Sequence, residues 1–474
     1  MGYDLLIKNA TVSTGVGDNT MVADIMADRG VIVGLARAGA GAEGAARMVE
    51  AGGLLVMPGC IDSHTHYMDQ GFTHRETFLN GTSGAAAGGV TTVIDMPCCS
   101  VPSVRGCDNL HFKLDHLRPQ AIVDFAMWGG VTGEDVRNGA MDIVQQQADD
   151  GVVAFKVYMT PSVPSYPRVT DPEMLECFIA VAKTGLPIGV HCENFAICDF
   201  NVEKLKAAGR LDGPAWAEAR MILAEKAAIQ LCISFSEETG ARFHVVHMST
   251  GIGAQLIKEG KMRGLDVTSE TCPHYLTLNA REAMTKHGAF AKIAPPLRRK
   301  EDNELLWRGL ADGSVDFMAT DHAPYSIEEE KDKPGMTIWT AFPGIPGTET
   351  MVPVTVSEGY VKGRLTLART VEVLSTSPAV QYGLYPKKGA ILPGSDADFT
   401  LIDLKKEWTI DQKKIQCLNK YTPLDGMKLT GKVVRTIVRG EDVYSEDKGV
   451  MVKPGFGQHL KRQTISRLPR TITF

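Results

Sequence analysis

LLVMPGCIDSHTH, residues 54–66, is an apolar run that ends in two histidines one residue apart. Seven later stretches repeat its plan: VTTVIDMP (90–97), VDFAMWGG (123–130), VVAFKVYM (152–159), PIGVHCEN (187–194), RFHVVHMS (242–249), VTSETCPHY (267–275) and VDFMATDHAP (315–324). A longer segment of helical composition separates each run from the next. Near-continuous apolar strands alternating with helices predict a parallel sheet covered on both faces, and eight such units predict a (β/α)8 TIM barrel. An open doubly wound sheet is the alternative.

Outside residues 54–386, the barrel segment, the pattern changes. Residues 1–53 and 387–453 read as short alternating strands, among them YDLLIKNATVS, DIMADRGVIVGLA, DADFTLIDL and VVRTIVRGEDVYS, separated by Gly and Asp turns. Neither flank holds enough strands for a stable sheet, so one small β-sandwich domain built from both chain ends is expected. Residues 454–474 lack periodicity and read as a solvated tail or a subunit-contact arm.

The 474 residues, 44% hydrophobic and 22% charged, suit a folded globular chain. Fifty basic against 56 acidic side chains give a net charge of −6, so no global positive field exists to attract nucleic acid. Ten scattered cysteines, two of them adjacent (Cys98 and Cys99), fit reduced thiols better than a disulfide framework. The start lacks the basic and apolar regions of a signal peptide, and no run of about 18 apolar residues could span a bilayer. A cytoplasmic location without membrane partners is expected.

His64 and His66 stand at i and i+2 at the end of the first barrel strand and so share a face. Lys156 sits in strand four, and His191, His247 and Asp321 end strands five, six and eight. In a (β/α)8 barrel those ends converge on the active site. Imidazoles with a carboxylate suit a borderline divalent ion, zinc foremost, with manganese or cobalt as alternatives. Lys156 cannot bind a cation as an ammonium. It reads either as a salt-bridge partner or, deprotonated by burial, as an amine able to take up carbon dioxide as a carbamate. His244, three residues before His247, is expected on the opposite strand face in a packing role.

These motifs resemble those of the cyclic amidohydrolases, the group of hydantoinase, dihydropyrimidinase, allantoinase and dihydroorotase. The resemblance rests on HTH (64–66), GVVAFKVYM (151–159), VHCEN (190–194), VVHMS (245–249), ETCPHYLTL (270–278), the APPLR run from 294 and ATDHAP (319–324), and it covers nearly the whole chain. GSDADFTLIDL (394–404), KYTPLDGMKLTGKVVRTIVRG (420–440) and GFGQ (455–458) look most like hydantoinases, the last like an L-selective one. By this resemblance His64, His66 and Asp321 hold one metal, His191 and His247 a second, and carbamylated Lys156 bridges both. Asp321 would then serve as general base and acid while an activated water opens a cyclic ureide. All six positions are filled, which argues against a metal-free scaffold relative. A homo-oligomer, tetramer or dimer, is also implied.

The resemblance has departures. Where many D-selective relatives carry an oxyanion-donating tyrosine, five residues after the lysine, this chain has Pro161. Tyr158, Thr160 and Ser162 are the candidate replacements, and backbone groups around Ala294 and Pro343 are expected to hold substrate. ETCPHYLTL and ATDHAP look more like allantoinase or dihydroorotase, whereas the C-terminal third looks like hydantoinase. The expected reaction is opening of 5-substituted hydantoins to N-carbamoyl amino acids, with allantoinase and dihydropyrimidinase as alternatives.

Overall fold

A computed structural model describes residues 2–18, 20–40 and 44–463. Strands β1 (Leu5–Ser13), β2 (Thr20–Asp28), β3 (Val31–Arg37), β4 (Arg47–Glu50) and β5 (Leu55–Pro58) precede the barrel. The barrel staves are β6 (Cys60–Thr65), β7 (Val90–Asp95), β8 (Asp124–Met127) continued as β9 (Gly129–Gly130), β10 (Phe155–Tyr158), β11 (Pro187–His191), β12 (Arg242–Val245), β13 (Val267–Thr271) and β14 (Phe317–Met318). After them come β15 (Phe399–Thr409), β16 (Lys428–Val438), β17 (Glu441–Ser445) and β18 (Gly449–Val450).

All eight predicted runs supply a barrel strand, and every pairing among β6 to β14 is parallel. The ladder is interrupted at Trp128, between β8 and β9, and it closes where Thr65 pairs with His322 and the His66 amide donates to the His322 carbonyl at 2.7 Å. Every residue of β7, β11 and β13 is buried, as strands covered on both faces require. Trp128 fills the interior and donates from its indole to the Ser63 carbonyl at 2.9 Å. Gly189 faces it: a Cβ there would lie 2.6 Å from the Trp128 ring.

The first predicted run divides at Gly59. Its leading part, β5, leaves the barrel and pairs with β1 and β15, joining both chain ends into one sheet ordered β18-β17-β16-β15-β5-β1-β2-β3, with β4 beside β1. Leu5, Ile7 and Val12 from the first strand share a core with Phe399, Leu401 and Ile437 from the last ones. Lys388 fastens this β-rich part to the barrel. Its buried ammonium lies 2.7 Å from Asp124, 2.8 Å from Asp396 and 2.6 Å from Asp398.

The last described residues do not extend into solvent. Leu460 donates its amide to the Phe125 carbonyl at 2.7 Å, Phe125 donates to Gln458 at 3.0 Å, and Gly457 packs so closely on Val123 that no side chain would fit. The rest of the expected tail, residues 464–474, lies outside the described residues. Among the described residues no helix is long and apolar enough to cross a membrane.

Candidate metal centre

The six residues expected to converge do so at the C-terminal end of the barrel. His64 lies on β6 and His66 one residue beyond it; their Nε2 atoms are 3.2 Å apart, and Asp321 Oδ1 is 3.2 Å from each. Across from this trio His191, which ends β11, brings Nδ1 to 3.0 Å from Nε2 of His247. His247 and Asp321 both take left-handed backbone angles, φ 43° and 49°. For residues other than Gly such angles cost on the order of 1 kcal/mol and persist where the surroundings impose them. Here they turn two side chains into the centre from just beyond their strands.

A divalent cation fits this arrangement. The ligand atoms of His64, His66 and Asp321 lie close enough together to serve one ion. Among the described residues Lys156, fully buried on β10, has no hydrogen-bond partner for Nζ, and His247 has none for Nδ1. Burial disfavours the charged form of all these bases. It lowers the Lys156 ammonium, and with help from Lys156 it lowers His64 to about 4 and His247 well below the usual imidazole range. Burial also lowers His191, whereas at His66 it is outweighed by Cys98 and Asp321, which raise that imidazole to about 9, so a metal there must displace a proton. Neutral imidazoles with converging lone pairs are what a metal requires. Asp124, Asp396 and Asp398 converge as well, but the Lys388 ammonium already fills their centre.

Carboxylates behind the histidines orient them. Glu270 accepts from His64 Nδ1 at 2.5 Å and from Ser63 at 3.1 Å, and lies 3.4 Å from His244 Nε2. Glu193 faces His191 Nε2 at 2.7 Å and is gripped by Arg220, whose Nε lies 3.0 and 3.1 Å from its two oxygens. Burial raises Glu193, but Arg220 and His191 outweigh it and hold the carboxyl at about 2. Asp62 accepts from the Thr320 hydroxyl at 2.6 Å and its amide at 3.1 Å, fixing the residue before Asp321. His322 Nδ1 receives the Gly347 amide at 3.1 Å.

The centre opens into a cavity of about 490 Å³. Its walls include His66, His191, His247 and Asp321, and also every residue expected to meet substrate: Tyr158, Thr160, Ser162, Ala294 and Pro343. Tyr158 stacks on His191 with ring centroids 5.4 Å apart, and its hydroxyl lies 3.1 Å from Cys98 Sγ. Phe72, Trp216, Tyr325, Trp339 and Phe342 give much of the remainder an aromatic lining.

Sequence reasoning did not single out Glu193, Arg220 or Glu270. Glu193 and Glu270 stood inside quoted motifs, Glu193 two residues after a metal-ligand candidate, a spacing that was a usable signal. Arg220 carried none. The packing role expected of His244 needs extension. It stacks on Phe317 at 5.3 Å and 10°, yet it also reaches Glu270. Strand alternation fails as a guide because β12 ends at Val245 and the chain has turned by His247.

The profile of the Amidohydrolase family matches residues 55–443. An L-hydantoinase of Paenarthrobacter aurescens is 36% identical over 464 residues, 97% of this chain and 98% of the relative. An allantoinase of Rubrobacter xylanophilus is 35% identical over 463 residues, with 97% and 98% covered. Among solved structures, the L-hydantoinase (dihydropyrimidinase) from Arthrobacter aurescens superposes with a TM-score of 0.92 at 35% identity, covering 97% of this chain and 100% of that one. With a profile match over most of its length and relatives of this similarity spanning nearly all of it, the chain belongs to the amidohydrolase family.

Proposed function

We propose that the chain is a binuclear metal-dependent hydrolase that opens the cyclic amide of 5-substituted hydantoins to N-carbamoyl amino acids. One observation carries this reading: His66, His191, His247 and Asp321 wall a cavity of about 490 Å³, room for a substituted five-membered ring, with His64 against His66 and Asp321 and the buried Lys156 on the strand next to that of His191. His64, His66 and Asp321 would hold one divalent ion and His191 and His247 a second. Zinc suits these donors best, with manganese or cobalt as alternatives. Lys156, its free amine joined to carbon dioxide as a carbamate, would be a ligand shared by both. When bound, the two ions supply Lewis acidity toward the ring carbonyl and a water acidic enough to attack near neutral pH.

The chain's own groups do the rest. Asp321 takes the proton of the attacking water on a carboxylate oxygen and hands it to the departing ring nitrogen. Glu270 and Glu193 hold His64 and His191 in one tautomer and one orientation. The hydroxyls of Tyr158, Thr160 and Ser162 are the available donors to the developing oxyanion where Pro161 leaves no tyrosine. Backbone groups at Ala294 and Pro343 hold the ring. The reading includes a cytoplasmic homo-oligomer, dimer or tetramer, acting on a small cyclic ureide.

Allantoin is the second substrate this site would suit, favoured by the ETCPHYLTL motif and the 35% identity to an allantoinase. Dihydropyrimidines are third. Initial rates on both hands of several 5-substituted hydantoins, on allantoin and on dihydrouracil separate the three. Hydantoins leading supports the proposal. Allantoin leading leaves the mechanism and replaces the substrate, and no ring opening on any of them overturns the reading.

A further inference from the structure

Three cations other than histidine line the cavity, and two have their charge answered on the spot. Arg220 is held by Glu193, while Arg75 meets Glu330 through Nε at 2.9 and 3.0 Å. Lys292 is different. It is 2% exposed, and among the described residues no carboxylate lies within ion-pairing distance of it. Its ammonium donates to one acceptor, the Ala341 carbonyl, and rests 4.0 Å from the centroid of the Trp216 ring. The guanidinium of Arg220 lies 4.8 Å from that same ring, so Trp216 carries two cations.

A lysine can clamp a loop without being a binding site, and Lys331 shows what that looks like. Its buried ammonium spends all three protons on carbonyls, those of Ala289 at 3.1 Å, Phe342 at 2.8 Å and Gly344 at 2.7 Å. Lys292 leaves two donors over, beside an open cavity. Burial, with Arg220 and Lys206 adding repulsion, lowers Lys292 to about 7. An unanswered ammonium in such a place is costly unless something that visits the cavity answers it.

Resting on the ring-opening function proposed above, we propose that Lys292 is the anchor for an anionic exocyclic group, so that the preferred substrates are cyclic ureides whose substituent ends in a carboxylate. The stem of the substituent would lie against the aromatic wall of Trp216, Trp339 and Phe342, and the carboxylate would take the donors that Lys292 leaves over. Lys292 thereby determines specificity and takes no part in the bond-breaking step.

The test compares 5-(2-carboxyethyl)hydantoin with its neutral isostere 5-(2-carbamoylethyl)hydantoin, using wild type, Lys292→Met and Lys292→Arg. One hydrogen bond to a charge predicts that wild type favours the carboxylate by about ten- to hundredfold in kcat/KM, chiefly through KM. The ratio should fall to near one in Lys292→Met and survive in Lys292→Arg. Equal rates on the two compounds in wild type overturn the proposal without any variant, and leave the hydantoin reading standing. If neither ring is opened, the hydantoin reading is what fails. The anchor is then decided by titrating glutarate against tryptophan fluorescence: binding about tenfold or more weaker in Lys292→Met supports it, and equal affinity overturns it.

Discussion

Glu270→Gln keeps the shape of a buried side chain and removes the charge behind His64. Three contacts are at stake: His64 Nδ1 at 2.5 Å, the Ser63 hydroxyl at 3.1 Å and His244 Nε2 at 3.4 Å. A glutamine can reproduce each one. Its oxygen accepts from His64, and its amide can donate to Ser63 Oγ and to His244, whose Nδ1 is already engaged with Thr268 at 2.8 Å. No buried group is orphaned, so the fold should hold. What is lost is the pull of an ionised carboxylate on the His64 N–H, which makes Nε2 more basic toward a cation shared with His66 and Asp321. Burial raises the Glu270 carboxyl, but His64 and His244 hold it far below the usual range, so the charge is present throughout the working pH. Removal of such a partner typically weakens metal binding by about 10- to 100-fold, or ~1.4–2.7 kcal/mol. Competition with a chromophoric chelator, with metal counted per chain, measures this directly. The ion on His64, His66 and Asp321 should loosen while that on His191 and His247 is retained. Metal affinities within twofold of wild type would refute the reasoning.

Other perturbations follow from the same contacts. Lys156→Ala should lose the shared ligand, one or both metals and activity, with partial recovery in acetate or propionate; two retained metals and full turnover would sink the carbamate. Lys292→Met should stabilise the fold at neutral pH. The folded lysine sheds its proton near 7 and the unfolded one near 10.5, so the destabilisation it causes is full below about pH 7 and fades toward pH 10.5. Urea melts of the two proteins should differ by about 1–4 kcal/mol at pH 6.5 and converge by pH 10; a gap that widens with pH would contradict this. Lys388→Met leaves Asp396 and Asp398 without their cation, while Asp124 keeps Arg439, and should cost about 3–5 kcal/mol in the same melts.

The barrel was legible because parallel strands buried on both faces read as apolar runs, and five of the eight runs here carried a residue of the expected metal centre. His64, His66, Lys156, His191, His247 and Asp321 were therefore visible as a set before any distance was known. The cavity residues Tyr158, Thr160, Ser162, Ala294 and Pro343 followed from the family likeness. Three things escaped. The break at Gly59 that sends β5 to the end sheet leaves no mark on hydrophobicity, since the chain is apolar on both sides of it, from Leu55 to Ile61, and buried throughout. His244 packs against Phe317 as expected, but its reach to Glu270 could not be read from period-two counting. Arg220 and Lys292 sit in helical and loop segments far from any strand end, and only the folded chain brings them to Trp216.

The central claim is that metals held by these six residues open a hydantoin ring. Protein stripped by a chelator and the same protein reloaded with zinc and bicarbonate should be given both hands of a 5-substituted hydantoin, with N-carbamoyl amino acid followed by chromatography. The account predicts product from the reloaded protein alone, with about two metals per chain. Full turnover by the stripped protein, or none by the reloaded one, would contradict it.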